Sequence, residues 1–229
     1  MRILLAVTLL FSLSKNICGQ QTKSYVVKAG EQILDVLPLE AIYAFSDFKS
    51  GTVFMRDGSI STAKLNYNVL LNEMQFIGSK GDTMAIAYPE TIKYISVDTL
   101  LYFYDKTYLQ VVSQVDSFKV AIKQSFTQAP YRTRGGYDAP TATSSITTYS
   151  SITSNGTRGN LQVKKDVKLE KETSYFISDK FNHFSKADKK AFLNIFPMKK
   201  VNIVDYMNKN NVNFSNKDDI EKLLKFCLY

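Results

Sequence analysis

The residue types that most often carry nucleophilic or metal-assisted chemistry are scarce in this 229-residue sequence: one histidine, His183, and two cysteines, Cys18 and Cys227. A histidine-based nucleophile site needs a hydroxyl or thiol within reach and a carboxylate behind the ring. No Gly-x-Ser-x-Gly turn marks which serine that would be. His183 lies between Asn182 and Phe184, just ahead of a helical stretch, and reads as a surface or boundary residue. Zinc asks for three or four His, Cys or carboxylate ligands, so neither a metal nor any other cofactor is expected. Gly78-Ser79-Lys80-Gly81 places a lysine among glycines, but the residues after it look like a strand, and the segment reads as a hairpin turn rather than a phosphate loop. Two carboxylates facing a cleft stay open as an alternative, because a glycosidase pair is assembled by the fold and not by sequence spacing. No catalytic residue is assigned, and the balance favours a protein that is not an enzyme.

Aromatic residues are the positive signal, with 14 Tyr and 15 Phe but no Trp. Tyr94, Tyr102, Tyr104 and Tyr108 fall in neighbouring expected strands, where cross-strand pairing would gather them into a patch able to stack on sugars or grip a peptide. The competing reading is that they pack a half-exposed sheet.

The N-terminus gives an address. Met1-Arg2 is followed by an uncharged apolar run from Ile3 to Leu13 and a polar stretch ending Asn16-Ile17-Cys18-Gly19-Gln20, the three-part build of a secretory signal. Eleven residues at about 1.5 Å each reach only half of a bilayer core of roughly 30 Å, so no permanent transmembrane helix is expected. Cleavage is placed between Gly19 and Gln20. A lipidated Cys18 fits less well, since lipoprotein sites carry Leu three residues before the cysteine and a small residue directly before it, and here those positions hold Lys15 and Ile17. With Cys18 discarded, Cys227 is the only thiol left, and it falls on an apolar helix stripe that would bury it.

The formal charge of +8 is unevenly spread. Residues 20–126 are nearly neutral, whereas residues 164–229 hold fourteen cations, all Lys, against nine acids. Phosphate recognition on nucleic acid usually concentrates Arg and Lys on one face, so no nucleic-acid partner is expected. A peripheral contact with an anionic envelope surface stays possible on this charge.

These side chains are expected on an α+β framework: mainly an antiparallel meander or sandwich-like sheet, followed by a C-terminal cluster of about three short amphipathic helices. From Gly51 onward, turn signals recur about every 8–12 residues between runs rich in Val, Ile, Tyr, Phe and Thr. Asp57-Gly58 is the strongest hairpin signal. Gln32 to Phe48, broken by Pro38, reads as an edge strand or short turn. Residues 127–160, dominated by Ser, Thr and Gly, read as a mobile loop. Segments 161–167 and 171–177 read as one or two strands completing the sheet. Helices are then expected from Ser185, from Met198 to Asn210 and from Ser215, the last with Ile220, Leu223, Leu224, Cys227 and Leu228 on one stripe. The organisation is thus a signal peptide over 1–19, a β-rich domain over 20–126, the loop over 127–160, and terminal strands with the helical module over 161–229.

Two stretches carry a resemblance. Phe48 to Val53, through Asp57-Gly58 to Lys64-Leu65-Asn66-Tyr67-Asn68 and Leu71 to Ile77, together with Phe192 to Lys200, Ile203, Tyr206 and the closing helix, resemble exported proteins of the Bacteroidota with no assigned activity. The resemblance implies an envelope location and supplies no catalytic residue. The expectation is an exported, non-enzymatic protein, periplasmic or associated with the outer membrane, that binds an envelope protein or glycan or forms part of an assembly. The alternative is a carbohydrate-binding protein or a carboxylate-dependent glycosidase.

Overall fold

The computed structural model describes residues 23–129, 163 and 165–229. The expected signal peptide, its Gly19–Gln20 cleavage point and almost all of the expected loop lie outside the described residues. Thr127 to Ala129, assigned to that loop from sequence, instead extend a strand.

Over the described residues the chain is α+β, built on one antiparallel sheet of eleven strands. They are β1 (Ser24–Val27), β2 (Lys49–Met55), β3 (Ile60–Asn68), β4 (Glu73–Ile77), β5 (Thr83–Ala85), β6 (Ile92–Val97), β7 (Leu100–Tyr104), β8 (Tyr108–Val115), β9 (Phe118–Ala129), β10 (Val167–Ser178) and β11 (Phe184–Lys186). Their order is β1-β10-β9-β8-β7-β6-β2-β3-β4-β5, with β11 also on β10. Two meanders, β2 to β5 and β6 to β10, are therefore joined by pairing of β2 with β6. Turn chemistry sets the hairpins. Gly58 takes φ +90° after Asp57, whose Oδ1 accepts hydrogen bonds from the Ser59 backbone N–H and hydroxyl at 2.8 and 2.7 Å. Asp98 and Asp116 take positive φ in the turns after β6 and β8, a conformation their short polar side chains tolerate.

Alternation then divides the side chains between two faces. On the inner face Leu65, Met74, Ile95, Val97, Tyr102 and Leu169 pack with Ile33, Leu37, Ala41 and Ile42 into one core. The ring of Tyr67 on β3 lies 5.6 Å from that of Tyr102 on β7. Three strand spacings amount to about 14 Å on a flat sheet, so the inner face is curled enough for these side chains to meet across it. A second core sits farther along the same face of β9 and β10, where Val120 and Ile177 meet Ala191, Phe192, Ile203, Met207, Ile220, Leu223, Leu224 and Cys227. Leu169 and Ile177 share a face in an unbroken register with β9 and lie about 26 Å apart at 3.3 Å per residue, so one strand spans both cores.

Three expectations are corrected. Gln32 to Phe48 forms neither an edge strand nor a simple turn: it holds two one-turn helices, α1 (Ile33–Val36) and α2 (Leu39–Ile42), on either side of Pro38. Proline lacks the N–H that the start of α2 would not use, so it opens the second turn without loss. Ser185 does not start a helix, because it pairs with Ile177 in β11, and the N-cap of α3 (Lys189–Ile195) is Asp188, whose side chain accepts from the Ala191 N–H at 2.7 Å. Ser215 is likewise displaced by Asn216, which accepts from the Asp218 and Asp219 N–H groups at the start of α5 (Lys217–Leu228). Between them a 3-10 turn, Pro197–Lys199, leads into α4 (Lys200–Asn210). Of the expected apolar stripe of α5, Ile220, Leu223, Leu224 and Cys227 are buried and Leu228 is half-buried against them.

Candidate functional site

Directly paired residues on neighbouring antiparallel strands point to the same side. That rule separates the four tyrosines. Tyr102 pairs with Ile95 and Gln110, and Tyr104 pairs with Tyr108, which places all three tyrosines on the inner face. Tyr94 pairs with Phe54 and lies on the outer face. The single four-tyrosine patch expected from sequence is therefore not formed.

Tyr102, Tyr104 and Tyr108 instead gather with Tyr67 inside the curl: Tyr104 and Tyr108 rings are 5.0 Å apart, and Tyr67 and Tyr108 rings 6.0 Å. Tyr67 donates to Asn72 Oδ1 at 3.2 Å and Tyr102 to Gln110 Oε1 at 3.5 Å, while the buried Tyr108 hydroxyl has no hydrogen-bond partner among the described residues. Burial pushes the Tyr67, Tyr102 and Tyr108 phenols above their ordinary value of 10.0. Because the folded values are raised, this part of the stability is fully present below pH 10.0 and is lost as pH rises through them. An unpaired buried hydroxyl costs about 1–3 kcal/mol, so Tyr108→Phe should raise stability by about 1 kcal/mol in a denaturant titration. A loss of that size would mean that the hydroxyl is bonded in solution.

On the outer face Tyr94 begins a row. Its ring stacks on Phe54 at 4.4 Å and 26°, meets Phe103 at 6.0 Å, and Phe103 in turn meets Phe184 at 5.6 Å. The Phe184 backbone N–H donates to Asp105 Oδ2 at 2.9 Å, which fixes that end of the row. Lys119, only 8% exposed, places Nζ 5.4 Å from the Phe103 centroid and donates to Asn182 Oδ1 at 2.6 Å. Burial pushes its pKa down, and a ring face with neutral oxygens is what receives the ammonium.

Beside Phe54 and Tyr94 lies an open groove of about 460 Å³ lined by Ser50, Thr52, Thr62, Lys64, Ser96 and Asp98 over the backbone of Gly51 and Ala63. Thr62, Thr52 and Ser96 form one cross-strand row, and Lys64 Nζ donates to Ser50 Oγ at 3.1 Å. Each hydroxyl offers one donor and two acceptors and can rotate to suit a ligand. Among the described residues Asp98 is the one carboxylate lining the groove, where a glycosidase needs two.

His183 does have a carboxylate behind its ring: Nδ1 is 2.9 Å from Asp179 Oδ2. The other oxygen of Asp179 accepts from the backbone N–H groups of Phe181 and His183 at 2.8 and 2.9 Å. Burial alone would raise the Asp179 pKa, but these bonds outweigh it and hold the carboxyl low. The pair ties down an exposed hairpin tip, and no described hydroxyl or thiol hydrogen-bonds to the ring. Cys227 is buried, and burial pushes its thiol up to about 12. It should resist maleimide at neutral pH in the folded protein and label fully only in denaturant. Rapid labelling of the folded chain would contradict this placement.

Among the described residues no three His, Cys, Asp or Glu side chains come together as a metal site, and no helix is long and apolar enough to cross a membrane. Phe54, Phe103, Phe184 and the groove hydroxyls were not singled out from sequence. The alternation Ser50-x-Thr52-x-Phe54 carries a trace of them. Comparison with known protein families, curated proteins and solved structures finds no match to this chain.

Proposed function

We propose that this chain is an exported protein of the periplasm or outer-membrane periphery that works by binding, alone or within an assembly, and that the outer face of its sheet is the surface that binds. The observation that carries this reading is the row Phe54, Tyr94, Phe103 and Phe184, half-buried and lying beside a hydroxyl-lined groove on the face opposite both cores. Half-exposed aromatic rings flanked by rotatable polar groups are the composition of a recognition surface. Export is supported by the charged start, the short apolar run and the small residue at Gly19, and by the resemblance to exported Bacteroidota proteins.

The groove favours a second reading, a glycan ligand, because Ser50, Thr52, Thr62 and Ser96 match the donor and acceptor capacity of sugar hydroxyls. The aromatic row favours it less, since Phe54 and Tyr94 each use one ring face on the other. Thr62→Trp, at an exposed strand position, fills the groove without touching either core. Capture of an envelope protein or glycan by the purified chain should disappear in this variant, and undiminished capture would refute the outer-face surface. Signal on a glycan array that vanishes with Thr62→Trp selects the glycan; a blank array retires it.

A further inference from the structure

The C-terminal module carries a surface that neither the sheet face nor the cores explain. Met198, in the 3-10 turn before α4, is 96% exposed, and Val201, in the first turn of α4, is 73% exposed. Ile203 and Met207 anchor α4 to the core, and Val201 lies two residues, or about 200°, from Ile203, so it points away from that anchor. Met198 and Val201 are three residues apart across the junction of the turn and α4, two exposed apolar side chains at one corner. Near this corner in sequence lie five lysines, Lys186, Lys189, Lys190, Lys199 and Lys200, against two acids, Asp188 and Asp205, the latter one turn along α4 from Val201. The Asp188 side chain is engaged in capping α3, and none of the five lysines forms an ion pair with a described carboxylate.

We propose that this corner between α3 and α4 seats the protein on an anionic phospholipid surface, with Met198 and Val201 entering the headgroup layer and the lysines lying over the phosphates. Lipid fits better than an acidic protein for two reasons. The cations are all lysine, compact charges on flexible stems that suit a fluid charged surface, whereas protein hot spots favour arginine and aromatic anchors. The apolar part is a protrusion, not a shaped pocket, and apolar side chains beside basic ones are how peripheral proteins enter an interface. The contact is reversible and salt-sensitive, because its attraction is largely electrostatic.

The test is co-sedimentation of the purified full mature chain with vesicles of phosphatidylcholine alone or mixed with phosphatidylglycerol. Binding is expected only to the mixed vesicles and should fall with added salt. Lys199→Gln and Lys200→Gln should each weaken it about fivefold. Met198→Ser with Val201→Ser should weaken it about tenfold. Both sets alter exposed side chains, so unchanged circular dichroism and melting are required alongside. Equal binding to the two vesicle types, variants that bind like wild type, or no vesicle binding while position 198 cross-links to an acidic protein would each overturn the proposal. Its biological setting rests on the envelope placement proposed above, but vesicle binding does not. A cytosolic chain would therefore sink that placement and leave this result standing, whereas failure on vesicles sinks this inference alone.

Discussion

Phe192→Ala is expected to cost about 3–5 kcal/mol, the usual range for emptying a fully buried aromatic site. Phe192 has no exposed surface, and its ring meets Phe214 at 6.0 Å and Phe196 at 6.5 Å, so it lies where α3 and the segment leading into α5 converge. The three helices hold to the sheet through the cluster around Val120 and Ile177, which is small compared with the core under the curl. Little surrounding structure is free to collapse into the space. Guanidinium unfolding should show the loss as a lower midpoint, with the near-ultraviolet aromatic signal of the helical module weakened first. A change below about 1 kcal/mol would mean that the helices are not packed as described.

Gly51→Ala should destabilise the sheet. A Cβ at this position would stand 2.7 Å from Leu65 Cδ1 and 2.8 Å from the Ser96 carbonyl oxygen. Leu65 belongs to the buried core, and the Ser96 oxygen is backbone in the adjoining strand, so relief requires β2 to move away from β6. Overpacking of this kind costs about 1–3 kcal/mol, occasionally more. The same displacement would reshape the groove that Ser50, Thr52 and Ser96 line, so ligand capture should fall together with the melting temperature. An alanine variant as stable as wild type, with capture intact, would show that β2 and β6 are not joined as closely as described.

Legibility in the sequence followed how local each signal is. The hairpin at Asp57-Gly58 was readable because a single glycine supplies the positive φ, and α5 was readable because its apolar stripe repeats over three turns. The one-turn helices α1 and α2 were not, since four residues carry no period. At Ser185 and Ser215 a hydroxyl that looks like a cap lost to an aspartate or asparagine a few residues on, a competition decided by where the strand or loop ends. The tyrosines show the larger limit. Whether Tyr94 and Tyr102 share a face depends on a register set by pairing across the whole sheet, and a shift of one residue reverses the answer. The groove was invisible for a related reason: Thr52, Thr62 and Ser96 come from three strands and meet only once β6 returns to pair with β2.

The central claim, an exported protein that binds through the outer face of its sheet, is tested most directly by placing a photo-activatable residue at Thr62 in cells of the native host. Asn208, an exposed position on α4, serves as the control. The account predicts a discrete adduct from position 62 and none from 208, recovered from the envelope on a chain whose first residue is Gln20. A chain that begins at Met1 and stays in the cytosol, or position 62 leaving no adduct in the envelope, would contradict it.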